Sequence, residues 1–231
     1  MVEREFISLA GTVRNCSGGV TPWGTWLTCE ESVDRPHGPN GDVVNNDHGY
    51  IFEVPANANG LVDPVPLIAM GRFNHEAAAV DPNTGIVYLT EDRHDSLFYR
   101  FVPNVKGQLS KGGQLQAMVV KKFPQFDTRN WQSLTMPVND WFEVEWIDLD
   151  NPESPNDDLR TRGYSAGAAL FARGEGIHWA GNELFFCCTN GGKQQQPLLR
   201  RRRRRQHDNN NNLLLLLLLG DNVSAPCGAK P

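Results

Sequence analysis

The sequence predicts an all-β protein, a partial β-propeller of antiparallel blades followed by a low-complexity tail. Three observations point there. Up to about Lys193, short apolar runs alternate with turn signals every ~8–15 residues, the rhythm of sandwiches, barrels and propellers. One phrase recurs in Ala79 to Asp92 and again in Ile177 to Gly192: apolar strand, tight turn, apolar strand, polar end. Only Asp157 to Ala172 carries modest helical character, so helices cannot supply the core.

The elements follow in order. Trp26 to Glu30 reads as a strand before a polar loop, Asp34 to Asp47, rich in Gly, Pro and Asn. Gly49 to Val54 is a second strand, ended by Pro55. Ala77 to Asp81 and Ile86 to Glu91 flank Asp81-Pro-Asn-Thr-Gly, where Pro82 presets φ and Gly85 tolerates positive φ. Leu97 to Val102 is the next strand, ended by Pro103. Phe142 to Ile147, Gly176 to Ala180 and Glu183 to Cys188 complete the set. Beyond Lys193 stand Gln194–Gln196, Arg200–Arg205, Asn209–Asn212 and Leu213–Leu219. Homopolymer blocks have no periodicity that specifies a packed face. Residues 1–193 are therefore expected to form the propeller-like body, and 194–231 a disordered tail.

Composition excludes several classes. Hydrophobic residues make up 39% of the 231, enough for a core, which rules out wholesale disorder. The longest apolar run, Leu213 to Leu219, is far short of the ~20 residues of a spanning helix. The net charge of −5 hides a split, because six basic residues lie in the Arg200–Arg205 block and leave an acidic body. That body argues against a nucleic-acid partner and suits carboxylate-rich cation sites. Cys16, Cys29, Cys187, Cys188 and Cys227 show no C-x-x-C spacing, and an odd count leaves one unpaired within a monomer. Met1-Val-Glu-Arg-Glu lacks the basic start and apolar stretch of a signal peptide, which leaves the cytosol or a start downstream of the true one.

Four strand-end clusters carry the candidate chemistry. Cys29, Glu30 and Glu31 close the first strand, and alternation sends Cys29 and Glu31 to one face and Glu30 to the other. A thiolate beside carboxylates suits a transition metal, whereas carboxylates alone suit hard cations. Taken alone, the triplet also fits a buried structural Cys with two solvated Glu. His75 and Glu76 precede an apolar strand, and Glu91 and Asp92 end another. Arg173 and Glu175 stand two apart in Ala172-Arg-Gly-Glu-Gly, with glycines that let backbone approach an ion or ligand. Strand ends of a propeller can converge on its axis, and an arginine there supplies a fork that matches phosphate oxygens. Glu76, Glu91 and Glu175 are expected to meet at one cation site. No G-x-S-x-G, H-E-x-x-H, G-x-x-x-x-G-K-[ST] or G-x-G-x-x-G occurs.

At these residues the chain resembles a known family. Asn15-Cys-Ser-Gly-Gly-Val-Thr-Pro-Trp-Gly-Thr-Trp-Leu-Thr-Cys-Glu-Glu, His48-Gly-Tyr-Ile-Phe-Glu-Val, Gly71-Arg-Phe-Asn-His-Glu-Ala, Val87-Tyr-Leu-Thr-Glu-Asp and Arg173-Gly-Glu-Gly look like the PhoX-type bacterial alkaline phosphatases. Their order and spacing match over about residues 11–193. The resemblance implies a six-bladed propeller with iron and calcium ions at its axis, hydrolysing phosphomonoesters. It implies Cys29 as a thiolate iron ligand and Glu76, Glu91 and Glu175 as metal-binding carboxylates. Glu30 and Glu31 are further metal candidates, of which one can point inward, and Arg173 would hold the substrate phosphate as the catalytic residue. A small-molecule phosphomonoester is the implied partner, with no nucleic acid or membrane span, and a monomer is expected. Family members are longer, and they are periplasmic or secreted, often through a twin-arginine route. The alternative is a non-catalytic, Ca²⁺-stabilised propeller-like binding or structural module. A lactonase-like propeller with one Ca²⁺ is disfavoured by Cys29, since a hard cation gains nothing from sulfur.

Overall fold

A computed structural model describes residues 4–39, 43–137, 140–181 and 183–192, together with the backbone of Leu213–Leu217. The rest of the predicted tail, and the expected boundary at Lys193, lie outside the described residues. Among the described residues eleven strands form three antiparallel sheets, with one short α-helix. The first sheet holds β1 (Gly19–Val20), β2 (Thr25–Cys29) and β3 (Ile51–Pro55) in that order. The second is a five-stranded meander of β4 (His75–Val80), β5 (Val87–Glu91), β6 (Phe98–Pro103), β7 (Gly113–Val120) and β8 (Val144–Asp148). The third holds β9 (Gly174–Ala180), β10 (Glu183–Cys188) and β11 (Leu213–Leu217), with β10 in the middle. Among the described residues no sheet closes on itself. The α-helix, α1 (Leu159–Ser165), falls inside the one stretch with predicted helical character.

The five-stranded sheet is the centre of the molecule because both its faces are covered. Strand alternation sends Val87, Leu89, Tyr99, Phe101, Leu115 and Ala117 to one side, where they pack with Leu27, Ile51, Met70 and Phe73. The opposite side carries Tyr88, Phe98, Met118 and Val120 against Phe171 and, from the third sheet, Leu184 and Phe186. Phe98 and Phe186 stack with ring centroids 4.2 Å apart. A strand buried on both faces reads as a continuous apolar run rather than an alternating one. That accounts for Val87-Tyr-Leu-Thr-Glu, every residue of which is buried.

Three strands depart from the sequence reading, the two-residue β1 among them. β7 was not among the predicted strands, although Gly113-Gln-Leu-Gln-Ala has the alternation and Gly112 and Pro124 punctuate its two ends. The leucine block was assigned no structure, yet the backbone of Leu213–Leu217 pairs antiparallel with Leu184–Cys188. The physical reason is the edge: β10 would otherwise present unpaired N–H and C=O groups, and any extended segment can satisfy them.

The sheets are joined by a close backbone crossing at Gly18 and Gly19. Gly18 N–H donates to Glu76 O at 3.0 Å, and Ala78 N–H donates to Gly18 O at 3.1 Å. Gly19 meanwhile pairs with Leu27 of β2. A Cβ on Gly18 would stand 2.0 Å from Leu27 O, and one on Gly19 would stand 1.9 Å from Ala78 O. Only hydrogen-sized side chains let three backbones pass here. Gly19→Ala is therefore expected to destabilise the fold by about 2–4 kcal/mol, as a clash against backbone that cannot relax locally. Gly60→Ala, where nothing lies within 4 Å of the added Cβ, should stay within about 0.5 kcal/mol. Urea unfolding midpoints of the two variants test the difference; equal shifts would show the crossing to be permissive.

Candidate metal centre

The crossing places the segment that carries Cys16 beside the start of β4, which carries Glu76. Asn15 bridges Glu30 in antiparallel fashion, so Arg14, Cys16 and Glu31 project on one face of that ladder. The Arg14–Glu31 ion pair at 3.0 Å follows from the same parity. Donor atoms of Cys16, Glu31 and Glu76 all lie within 4.8 Å of one another. Three groups that lose a proton thus share one small space. Loss of hydration, followed by the hydrogen bond and charge of Glu76, pushes the Cys16 thiol up to about 11. Glu76 is raised by burial, with the negative charges of Glu175, Glu31 and Asp92 adding to it against a hydrogen bond with Cys16.

Next to this cluster stands an arginine held on three sides. Arg173 Nε and Nη2 donate to the two carboxylate oxygens of Asp92 at 2.7 and 2.8 Å, and Nη2 also reaches Glu175 Oε1 at 3.2 Å. Thr189 from the end of β10 donates its hydroxyl to the same Glu175 oxygen at 2.8 Å. Burial works against the Asp92 charge, but the bidentate arginine outweighs it and the Asp92 pKa falls. Glu31 faces Asp92 and moves the other way: burial and the hydrogen bond with Asp92 raise it, with Arg14 opposing. The Arg173 backbone has φ 56°, so it turns before β9 begins rather than lying extended beside Glu175.

The sequence-predicted residues separate into two groups. Glu31, Glu76, Arg173 and Glu175 are together. Glu30 and Glu91 do not join them, and Cys29 lies beneath the cluster, close enough to feel the charges of Glu76 and Cys16. Glu30 is fully buried and already accepts from the N–H groups of Val13, Gly49 and Tyr50 at 2.9, 2.7 and 3.1 Å, with His48 Nδ1 at 2.7 Å. It anchors loops on the opposite face of the strand. Glu91 points into the core, where Tyr99 O–H and Leu97 N–H donate to its Oε2 at 2.7 and 3.3 Å. The expected meeting of Glu76, Glu91 and Glu175 is thus corrected: β5 parity turns Glu91 inward, and the next residue, Asp92, takes its place. Cys29 lies fully buried in the apolar core opposite Cys16, where burial raises its thiol far above the usual range. Cys16 and Thr189 were missed, and Asp92, named beside Glu91 at the strand end, was given no role. Cys16 and Asp92 sit inside the quoted motifs, and the signal that could have found them is the pairing partner of each strand, which spacing alone does not reveal.

Antiparallel sheets with a thiol and carboxylates at their junction beside an arginine define a β protein with a candidate metal centre. The family model "Alkaline phosphatase PhoX" matches residues 1–214, and the chain belongs to that family. A solved structure of Pseudomonas fluorescens PhoX in complex with vanadate, a transition state analogue, has a similar fold, with TM-score 0.52 and 21% identity. The match covers 78% of this chain and 40% of that one, so this chain spans well under half the length of that relative. No curated protein gives a significant match. Among the described residues no helix is long and apolar enough to cross a membrane.

The buried Glu91 makes a pH prediction. Burial pushes its pKa up to about 7, against the hydrogen bonds of Tyr99 and Leu97 and the charge of Arg160. The folded state then holds a proton that the unfolded chain releases at about 4.5. Its contribution is most favourable below that value and is lost as pH rises through about 7, by about 3 kcal/mol in all. His75 acts oppositely: burial lowers it to about 3, so it costs stability as pH falls below 6.5. Comparing Glu91→Gln with wild type isolates the glutamate. Urea unfolding should find the variant more stable by roughly 2–3 kcal/mol at about pH 8 and little changed at about pH 4.5. An equal offset at both values would mean that Glu91 does not titrate in this window.

Proposed function

We propose that the chain carries the metal-binding half-site of a metal-dependent phosphomonoester hydrolase of the alkaline phosphatase type, at the axis of a six-bladed propeller to which these sheets contribute blades. The observation that carries the reading is the Cys16–Glu31–Glu76 donor set beside Arg173. The donors fit a metal: one sulfur and two carboxylates suit a transition ion such as iron, and burial, with acidic neighbours adding to it, raises all three pKa values, a cost that a cation would relieve. Asp92 and Glu175 offer oxygen only, the chemistry of calcium. Bound cations would supply Lewis-acid polarisation of the phosphoryl group and offset charge on its oxygens.

The chain's own residues do the positioning. Asp92 fixes the plane of the Arg173 guanidinium, and Glu175, itself held by the Thr189 hydroxyl, accepts from Nη2. Nη1 takes no part in these bonds and is the nitrogen offered to a phosphate oxygen. A small phosphomonoester is the substrate class, and a periplasmic or secreted site of action accompanies the reading.

Metal analysis and a chromogenic aryl phosphate assay test this. Cys16→Ser should lose the transition metal, because a hydroxyl is a harder and weaker donor than a thiolate, while Cys29→Ser should keep it. Arg173→Lys should keep the metals and lose roughly 10²–10³ in kcat/KM, since an ammonium is held by no fork. A wild-type chain that binds Ca²⁺ but hydrolyses nothing would favour the non-catalytic module instead. A chain that binds no metal overturns both.

A further inference from the structure

We infer that Cys16 and Cys29 form a thiol–disulfide pair, and that closing it withdraws the sulfur from the metal-donor set. The pairing rests on register. Asn15 and Glu30 bridge antiparallel, and the next rung brings Cys16 opposite Cys29, with Cys16 N–H donating to Cys29 O at 2.8 Å. Residues opposed in this way share a face. The Arg14–Glu31 ion pair confirms that parity on one side of the ladder, and the Asn15–Thr28 hydrogen bond at 2.8 Å marks the other. Opposed antiparallel residues have Cα atoms about 4.5–5.5 Å apart, inside the range a disulfide accepts. Both thiols are free, and they are close enough for the Cys16 charge to act on Cys29.

Their burial differs in a way that orders the chemistry. Cys16 is exposed and Cys29 is fully buried. A disulfide oxidant such as oxidised glutathione meets Cys16 first. The Cys16 thiolate attacks one glutathione sulfur, forming a mixed disulfide and expelling the first glutathione as a thiolate. Cys29, deprotonated, then attacks the Cys16 sulfur and expels the second. The two protein thiols lose two protons and two electrons; the oxidant gains them as two reduced glutathione molecules. Cys187 and Cys188 are adjacent in β10 and project to opposite faces, so they do not make an equivalent pair.

The consequence for metal rests on the proposed function, whereas the disulfide itself does not. With Cys16 oxidised, Glu31 and Glu76 remain, an all-oxygen pair without the soft donor. A metal already on Cys16 would in turn shield the thiol.

The test uses the full chain, reduced and stripped of metal by a chelator, with oxidised glutathione as oxidant and Co²⁺ as metal probe. Non-reducing peptide mapping should find Cys16 linked to Cys29 with two hydrogens lost, and Cys29→Ala should instead trap glutathione on Cys16. A lasting glutathione adduct on Cys16 of the wild-type chain, or an unmodified Cys16, overturns the pair. Co²⁺ added to the reduced chain should produce a sulfur-to-metal absorption band. Oxidation should weaken binding tenfold or more and abolish the band, and a reductant should restore both. A cross-link without any Co²⁺ band in the reduced chain sustains the pair and defeats the metal reading; a band without a cross-link does the reverse.

Discussion

Everything at the candidate site depends on three backbones passing through one point. Gly18 hydrogen-bonds to Glu76 O and accepts from Ala78 N–H, while Gly19 is paired with Leu27. The first sheet is thereby stitched to the edge of the five-stranded one at main-chain distance. Side chains would have held these sheets about 10 Å apart. At that spacing Cys16 and Glu76 could not share a ligand sphere. The two glycines of the Asn-Cys-Ser-Gly-Gly motif thus serve the chemistry by what they lack.

Given that crossing, strand parity sorts the acidic residues. Each of two strand ends offers adjacent carboxylates, Glu30–Glu31 and Glu91–Asp92, and each sends one outward to the cluster and one inward. The inward pair is not idle. Glu30 collects loop N–H groups and His48, and Glu91 accepts from Tyr99 and Leu97 beneath the site. Carboxylates that satisfy buried donors hold the loops in place, and rigid neighbours keep the outward group in position.

The outward group carries more negative charge than its protein partners neutralise. Arg173 claims Asp92 and touches Glu175, and Arg14 reaches Glu31 from the rim. Cys16 and Glu76 have no cation in contact among the described residues. Burial first, and that imbalance after it, raises their pKa values, and a metal would displace the protons from the thiol and the carboxyl. Cys29, one rung away in the apolar core, gives the same thiol a second fate.

The sequence by itself determined the strand rhythm, the Asp81–Gly85 turn, the family and the identity of the motifs that meet at the site. These are local or pattern-level properties: alternation, turn chemistry and long motifs are legible without knowing what lies opposite. It also separated Glu30 from Glu31, because alternation within one strand is local. Tertiary structure alone decided that Cys16 rather than Cys29 faces the carboxylates, and Asp92 rather than Glu91. Cys16 and Cys29 share a face and differ in depth, Cys29 in the core and Cys16 at the surface. The second choice depends on which face of β5 turns to the core, where Tyr99 meets Glu91. A strand of period two has two equivalent faces until a second layer covers one of them.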